Sequence, residues 1–187
     1  MMNYQINMYN QPHEVLISEA EIKARVKEMA AELTEEYRGK NPVFVGVLRG
    51  VCVFFSDMIR EFKDHCVIDF MSVSSYRGAH STGECIITKD VNTELRNRHV
   101  IILEDIFDTG KSLDFVYNFL LTKHPASVKI VTLLDKPARR KPWITLQPDM
   151  IGFTVEDKFV VGYGLDYNEQ FRNLPYVAAI DTTKIDL

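Results

Sequence analysis

Apolar residues recur along this chain in two periods, and the switches between those periods predict its elements. Ile22, Val26, Met29, Ala30, Leu33 and Tyr37 fall at helical spacing and make one stripe. Ser18, with Glu21 three residues on, has the spacing of a capping box, so the helix is predicted to start there. Arg38-Gly39 is predicted to end it with a cation and a C-cap glycine. Residues 42–48 are then continuously apolar, the signature of a strand covered on both faces. After Arg49-Gly50 a helical pattern resumes at Val51, Phe54, Phe55, Met58 and Ile59. Residues 67–73 predict the next strand, and the small, polar stretch 74–83 suits a long mobile loop of the kind that often forms a lid. A strand is predicted to restart at Cys85-Ile86-Ile87, followed by a polar connection to Arg98.

The next strand is the one the rest is organised around. From His99 it runs through four branched aliphatics, Val100-Ile101-Ile102-Leu103, and stops at Glu104-Asp105. Asp108 and a Thr109-Gly110-Lys111-Ser112 turn follow, and then a helix with Leu113, Val116, Phe119 and Leu120 on one face, halted at His124-Pro125. Residues 128–134 are another buried strand ending in Asp135-Lys136, and strand, helix, strand in this order implies a parallel crossover. Short late strands are predicted at 150–153, 159–163 and 176–180, separated by a proline-rich connection. Residues 1–11 are polar and aperiodic, a loose arm. The pattern is α/β: a twisted, mostly parallel sheet flanked by helices. Open sheets of that kind keep their sites at the carboxyl ends of the strands.

Composition narrows the class. The 187 residues, 46% hydrophobic and 26% charged, suit one soluble domain. A net charge of −4 argues against a dedicated nucleic-acid module. The three cysteines, Cys52, Cys66 and Cys85, have no metal-like spacing and read as free thiols in a reducing compartment. No apolar run approaches the roughly 18 residues of a membrane span. The N-terminus has no secretory pattern, so a cytoplasmic location is expected.

The turn after the acids permits three readings. Gly110-Lys111-Ser112 copies the end of a Walker A loop, but Asp105 stands where that loop needs its first glycine, and a carboxylate there would repel a triphosphate. Asp108-Thr109-Gly110 copies an aspartic-protease tripeptide, which needs a second, facing aspartate in an all-β fold. The third reading uses every residue. The N–H groups and hydroxyls of 109–112 open a helix and can hold a phosphate monoester. Glu104 and Asp105 can accept from sugar hydroxyls, and Asp108 is left to act as a base. Phosphate and diol acceptors together describe a ribose 5-phosphate site. Arg49-Gly50, between a strand and a helix, is a second candidate anion cradle.

With these residues in view, the chain resembles a known family. Residues 102–112 are similar to the phosphoribosyl pyrophosphate (PRPP) motif of type I phosphoribosyltransferases. Val47-Leu48-Arg49-Gly50 resembles their pyrophosphate loop, and Ser74-Ser75-Tyr76 the start of their flexible catalytic loop. Residues 157–169, with Phe171-Arg172-Asn173-Leu174-Pro175, closely resemble the purine-binding end of the hypoxanthine(-guanine) members. The resemblance implies transfer of phosphoribosyl from PRPP to a 6-oxopurine with release of Mg²⁺-pyrophosphate. It implies Asp108 as acid/base at purine N7, Glu104 and Asp105 on the ribose hydroxyls, and Asp108, Thr109, Gly110, Lys111 and Ser112 on the 5'-phosphate. Lys136 would donate to the purine 6-oxygen, Phe159 would stack on the base, and Val160 would offer backbone groups to its edge. Leu48, Arg49 and Gly50 would hold pyrophosphate through backbone N–H groups and Arg172 through its guanidinium, and Ser75 and Tyr76 would close over the site. Asp166, with Glu104 and Asp105, would serve Mg²⁺.

The same resemblance implies one domain over residues 1–187, with a small hood built from the N-terminal arm and part of the segment after residue 137. It also implies a homodimer or homotetramer without nucleic-acid or membrane partners. A xanthine- or guanine-preferring transferase is the nearer alternative. An RNA-binding attenuator on the same fold is the farther one, opposed by the acidic charge and the intact purine end.

Overall fold

The computed structural model describes residues 13–75 and 85–183. Its main sheet has six strands in the order β4-β3-β2-β5-β6-β7. These are β2 (Val43–Leu48), β3 (Val67–Ser75), β4 (Cys85–Lys89), β5 (His99–Phe107), β6 (Ser127–Asp135) and β7 (Met150–Thr154). All pairings are parallel except that of β4 with β3. The chain builds outward from β2 to β3 on one side, then returns to β2's other edge with β5 and continues to β6 and β7. Strand order therefore reverses between β2 and β5, which is where an open sheet leaves a crevice at its carboxyl edge. A second sheet, β1-β9-β8, is antiparallel and consists of β1 (His13–Ile17), β8 (Phe159–Val161) and β9 (Val177–Ile180).

The alternation along β5 shows why the apolar runs are unbroken. Val100 and Ile102 join one buried cluster with Val43, Val45 and the α3 (Lys111–Leu121) residues Leu113, Val116 and Leu120. Ile101 and Leu103 join the cluster on the opposite face, with Phe44 and the stripes of α1 (Glu19–Glu36) and α2 (Cys52–Glu61). Each strand residue thus removes its side chain from water on one face or the other, at about 1.5–3 kcal/mol for a large aliphatic.

The capping box at Ser18 is present in both directions. The expected C-cap is displaced: α1 ends at Glu36 with Tyr37 as cap, and Gly39 takes its left-handed conformation (φ 72) in the following turn. β5 also runs past the predicted end at Glu104 to Phe107, because its backbone stays paired with β6 as far as Phe107↔Asp135 after the apolar pattern has stopped. β8 is shorter than expected and ends at Val161, where Gly162 (φ 94) turns the chain. Tyr76 and most of the expected mobile loop lie outside the described residues, as does the N-terminal arm through residue 12.

Candidate active site

Three carboxyl-edge segments meet at the reversal of strand order. β5 delivers Glu104, Asp105 and Asp108. Gly110 then takes a left-handed conformation (φ 84) as N-cap, and α3 starts at Lys111. A cleft of about 220 Å³ opens here, lined by Glu104, Asp108, Thr109, Gly110 and Ser112 among others. The Thr109 N–H donates to Asp108 Oδ1, which fixes the start of the turn. Lys111 Nζ stands 5.7 Å over the ring of the exposed Trp143.

The two acids of β5 face different neighbours. Glu104 lines the phosphate cleft, and its Oε2 is buried with no hydrogen-bond partner among the described residues. Asp105 turns toward the end of β2: a Cβ built on Gly50 would fall 1.7 Å from its Oδ2. Its Oδ1 accepts from the Ile106 N–H at 2.8 Å. Both residues keep part of their surface accessible, yet their carboxylates lie deep. Burial, followed by the charges of Asp105 and Asp108, holds Glu104 well above the usual carboxylate range. Burial pushes Asp105 up to about 6, against the N–H groups that favour its charged form.

The residues that the resemblance assigns to pyrophosphate converge from far apart in sequence. The Leu48–Arg49 peptide bond is cis. Gly164, at φ 103, approaches Gly50 so closely that a Cβ on it would sit 1.9 Å from the Gly50 carbonyl oxygen. Arg172 donates from Nη1 to the Gly164 carbonyl at 2.8 Å and pairs through Nη2 with Asp166 at 2.8 Å. Arg49 pairs with Glu169 at 2.6 Å. Among the described residues no group of three or more His, Cys, Asp or Glu side chains forms a ready cage for a metal ion.

On the other side, Lys136 and Phe159 exchange the environments their sequence suggests. A lysine at a strand end is ordinarily exposed, but Lys136 is only 6% exposed and donates to the Lys158 carbonyl at 2.5 Å. Burial lowers its pKa, opposed by Asp157 and Asp108. Phe159, outside the resemblance a core aromatic, is 47% exposed and meets Tyr167 edge-on at 5.5 Å. Val160 is buried in β8 and pairs with Ala179. Ser75 ends β3, and Tyr76 lies outside the described residues.

Three residues escaped the sequence reading. Arg140 lies over the buried Phe107 ring at 3.1 Å, pairs with Asp135 and packs its Cδ near Gly110. Phe107 is thereby part of the floor under the phosphate turn. The Lys141 N–H donates to the Thr109 carbonyl at 3.1 Å, tying the segment after β6 to the same turn. Glu169 joins Arg49 and Arg172. Its only sequence signal was its position between Asp166 and Arg172. A larger cleft of about 490 Å³, lined by residues such as His13, Lys158, Phe159 and Asp181, has none of the β5 acids in its wall and is not the centre of this chemistry.

A cleft at a helix start, two deep acids and an arginine-bearing loop thus meet at the strand-order reversal. The description of the phosphoribosyl transferase domain matches residues 16–168, and the chain belongs to that family. It is 46% identical over 174 residues to the hypoxanthine-guanine phosphoribosyltransferase of Staphylococcus aureus (strain Mu50), covering 92% of this chain and 96% of that protein. It is 45% identical over 175 residues to the bifunctional protein TilS/HprT of Listeria innocua, of which it spans 27% of the length, with 93% of this chain covered. A crystal structure of a hypoxanthine phosphoribosyltransferase from Staphylococcus aureus superposes with a TM-score of 0.90 at 44% identity, covering 100% of both chains.

Proposed function

We propose that this chain is a purine-salvage enzyme that transfers 5-phosphoribosyl from PRPP to hypoxanthine, and also to guanine, giving IMP or GMP and pyrophosphate. The observation that carries the reading is the pairing of the phosphate cleft under Glu104 and Asp108 with a buried Lys136 on the adjacent strand end. Adjacent strands thus present sugar-phosphate recognition and a cation for an oxo group side by side. The family membership and the relatives' names support the same activity.

The residues divide the work. Thr109, Gly110, Lys111 and Ser112 take the 5'-phosphate at the start of α3, where N–H groups and the helix dipole favour an anion. Glu104 and Asp105 accept from the ribose hydroxyls. Asp108 sits between the phosphate turn and the Lys136 side and handles the proton at purine N7 as N9 attacks C1. Lys136 donates to the 6-oxygen, which an adenine cannot reciprocate. Phe159 offers an exposed aromatic face to the base, and Val160 its backbone. Leu48, Arg49, Gly50 and Arg172 receive the departing pyrophosphate. The family resemblance assigns Ser75 and Tyr76, the latter outside the described residues, to covering the site, which would exclude water from an oxocarbenium-like transition state.

The acids fit Mg²⁺. The ion usually binds through one or two carboxylates plus substrate phosphates, so no cage of three is needed, and the partnerless buried Glu104 Oε2 is a donor in waiting. Asp166, Glu104 and Asp105 would each meet the ion singly or in a pair, with substrate oxygens completing its shell. When bound, it supplies neutralisation of the leaving pyrophosphate.

A single domain over residues 1–187, with the β1-β9-β8 sheet and the segment after 137 as a hood, accompanies this reading. So does a cytoplasmic homodimer or homotetramer with no membrane or nucleic-acid partner. Its free cysteines suit a reducing compartment, and no helix among the described residues is long and apolar enough to cross a membrane. The test is competition among hypoxanthine, guanine, xanthine and adenine at fixed PRPP and Mg²⁺. Preference for hypoxanthine or guanine is expected, and preference for adenine would sink the assignment of Lys136.

A further inference from the structure

Glu169 occupies the loop between β8 and β9, and its carboxylate spans two arginines that come from opposite ends of the chain. One oxygen, Oε1, lies 2.6 Å from Arg49 Nη2, and the other, Oε2, lies 3.2 Å from Arg172 Nη2. Arg172 is the guanidinium the pyrophosphate-site reading assigns to the leaving group, and Arg49 belongs to the loop assigned to the same group through its backbone. A carboxylate offering each oxygen to a different guanidinium presents the charge and spacing of two phosphate oxygens.

The backbone is shaped for that placement. Glu169 adopts φ 64, with Asn168 at φ 49 and Phe171 at φ 72, a cluster of left-handed conformations that side chains other than glycine and asparagine rarely take. The Glu169 N–H donates to Asp166 Oδ2 at 3.0 Å, so the turn is anchored independently of the side chain. The side chains of Arg49 and Glu169 are 70% and 61% exposed. An ion pair that open to water is weak and easily exchanged.

We propose that Glu169 is a built-in competitor of pyrophosphate, bridging Arg49 and Arg172 in the free protein and giving way when the pyrophosphate group of the substrate arrives. The inference rests on the pyrophosphate-site reading. Its consequence is a site that captures PRPP less tightly than its arginines allow and lets pyrophosphate go more readily. Pyrophosphate carries more charge than one carboxylate and reaches both guanidiniums at once, so it displaces Glu169 rather than sharing them.

The test is titration of the full chain with pyrophosphate and Mg²⁺ by calorimetry, together with PRPP kinetics. Glu169→Gln keeps the shape and the backbone anchor but removes the charge. It is expected to bind pyrophosphate about two- to fivefold tighter, the range set by exposed ion pairs, and to lower the KM for PRPP by a similar factor. Glu169→Asp keeps the charge on a stem too short to bridge both arginines and is expected to fall between Gln and the parent. In an Arg49→Gln background the gain from Glu169→Gln should shrink. Unchanged or weaker pyrophosphate binding in both Glu169 variants would overturn the proposal and make Glu169 a brace for the arginines. A parent protein that fails to bind pyrophosphate with Mg²⁺ would instead overturn the pyrophosphate site itself, and the proposal with it.

Discussion

Replacing Gly164 with alanine tests how the pyrophosphate loop is held. A Cβ there would sit 1.9 Å from the Gly50 carbonyl oxygen, with the Gly50 carbonyl carbon at 3.1 Å, so backbone rather than a flexible side chain must move. The residue also stands at φ 103, where alanine is strained by about 1–3 kcal/mol. Forcing atoms into a packed contact adds about 1–3 kcal/mol more. Even the lower bounds sum to about 2 kcal/mol, which for a chain of this length lowers Tm by at least about 4 °C. The damage is directional. Gly164 accepts from Arg172 Nη1 at 2.8 Å and donates to the Arg172 carbonyl at 2.9 Å, so the displaced backbone carries the arginine with it. A shift of that size in a positioning group costs on the order of tenfold or more in PRPP use, while the purine side, built on β6 and β8, keeps its geometry. Calorimetric melting and separate KM values for PRPP and hypoxanthine read both effects. A variant that melts within about 1 °C of the parent, with an unchanged KM for PRPP, would refute the close contact and its role.

Other outcomes follow from the same geometry. Asp108→Asn should lower turnover by about 10²-fold or more while leaving PRPP binding within about twofold; an unchanged rate removes Asp108 from the proton-handling role. Lys136→Ala should raise the KM for hypoxanthine by about tenfold or more with little change in PRPP affinity, and equal losses for both substrates would contradict its place at the base. Burial pushes the Tyr37 phenol up to about 12, against about 10 when unfolded. The native state therefore holds a proton the unfolded chain has lost, and stability falls as pH rises from 10 to 12, by up to about 2–3 kcal/mol. Urea midpoints across that range should fall more steeply for the parent than for Tyr37→Phe, and parallel slopes would show the phenol is not buried as described.

Much of the fold was legible because the central strands β2, β5 and β6 are buried on both faces, so they read as apolar runs and the helices beside them as stripes. The acids at the end of β5 and the Arg49-Gly50 turn at the end of β2 were legible as carboxyl-edge residues for the same reason. What sequence could not carry was non-local. Nothing near His13 states that β1 pairs with β9, and nothing in Arg49 names Glu169 as its partner. Lys136 is buried with its ammonium on the Lys158 carbonyl, a partner 22 residues on that its own neighbours in sequence do not announce. Phe159 stays exposed because its short strand pairs with β9 in the smaller sheet and leaves the ring outside the core. The end of β5 was missed because periodicity tracks burial, whereas the strand is kept by hydrogen bonds to β6 beyond the last buried aliphatic.

Trp143 is the only tryptophan in the chain, it is 65% exposed, and the ammonium of Lys111 stands over its ring. Lys111 is the first residue of α3, the helix proposed to receive the 5'-phosphate. An anion that draws this ammonium away removes a charge from above the indole, and the indole's emission depends on such charges. On the proposed reading the protein would carry its own optical gauge of phosphate occupancy, one that would register PRPP or a nucleotide product without a label and without waiting for turnover.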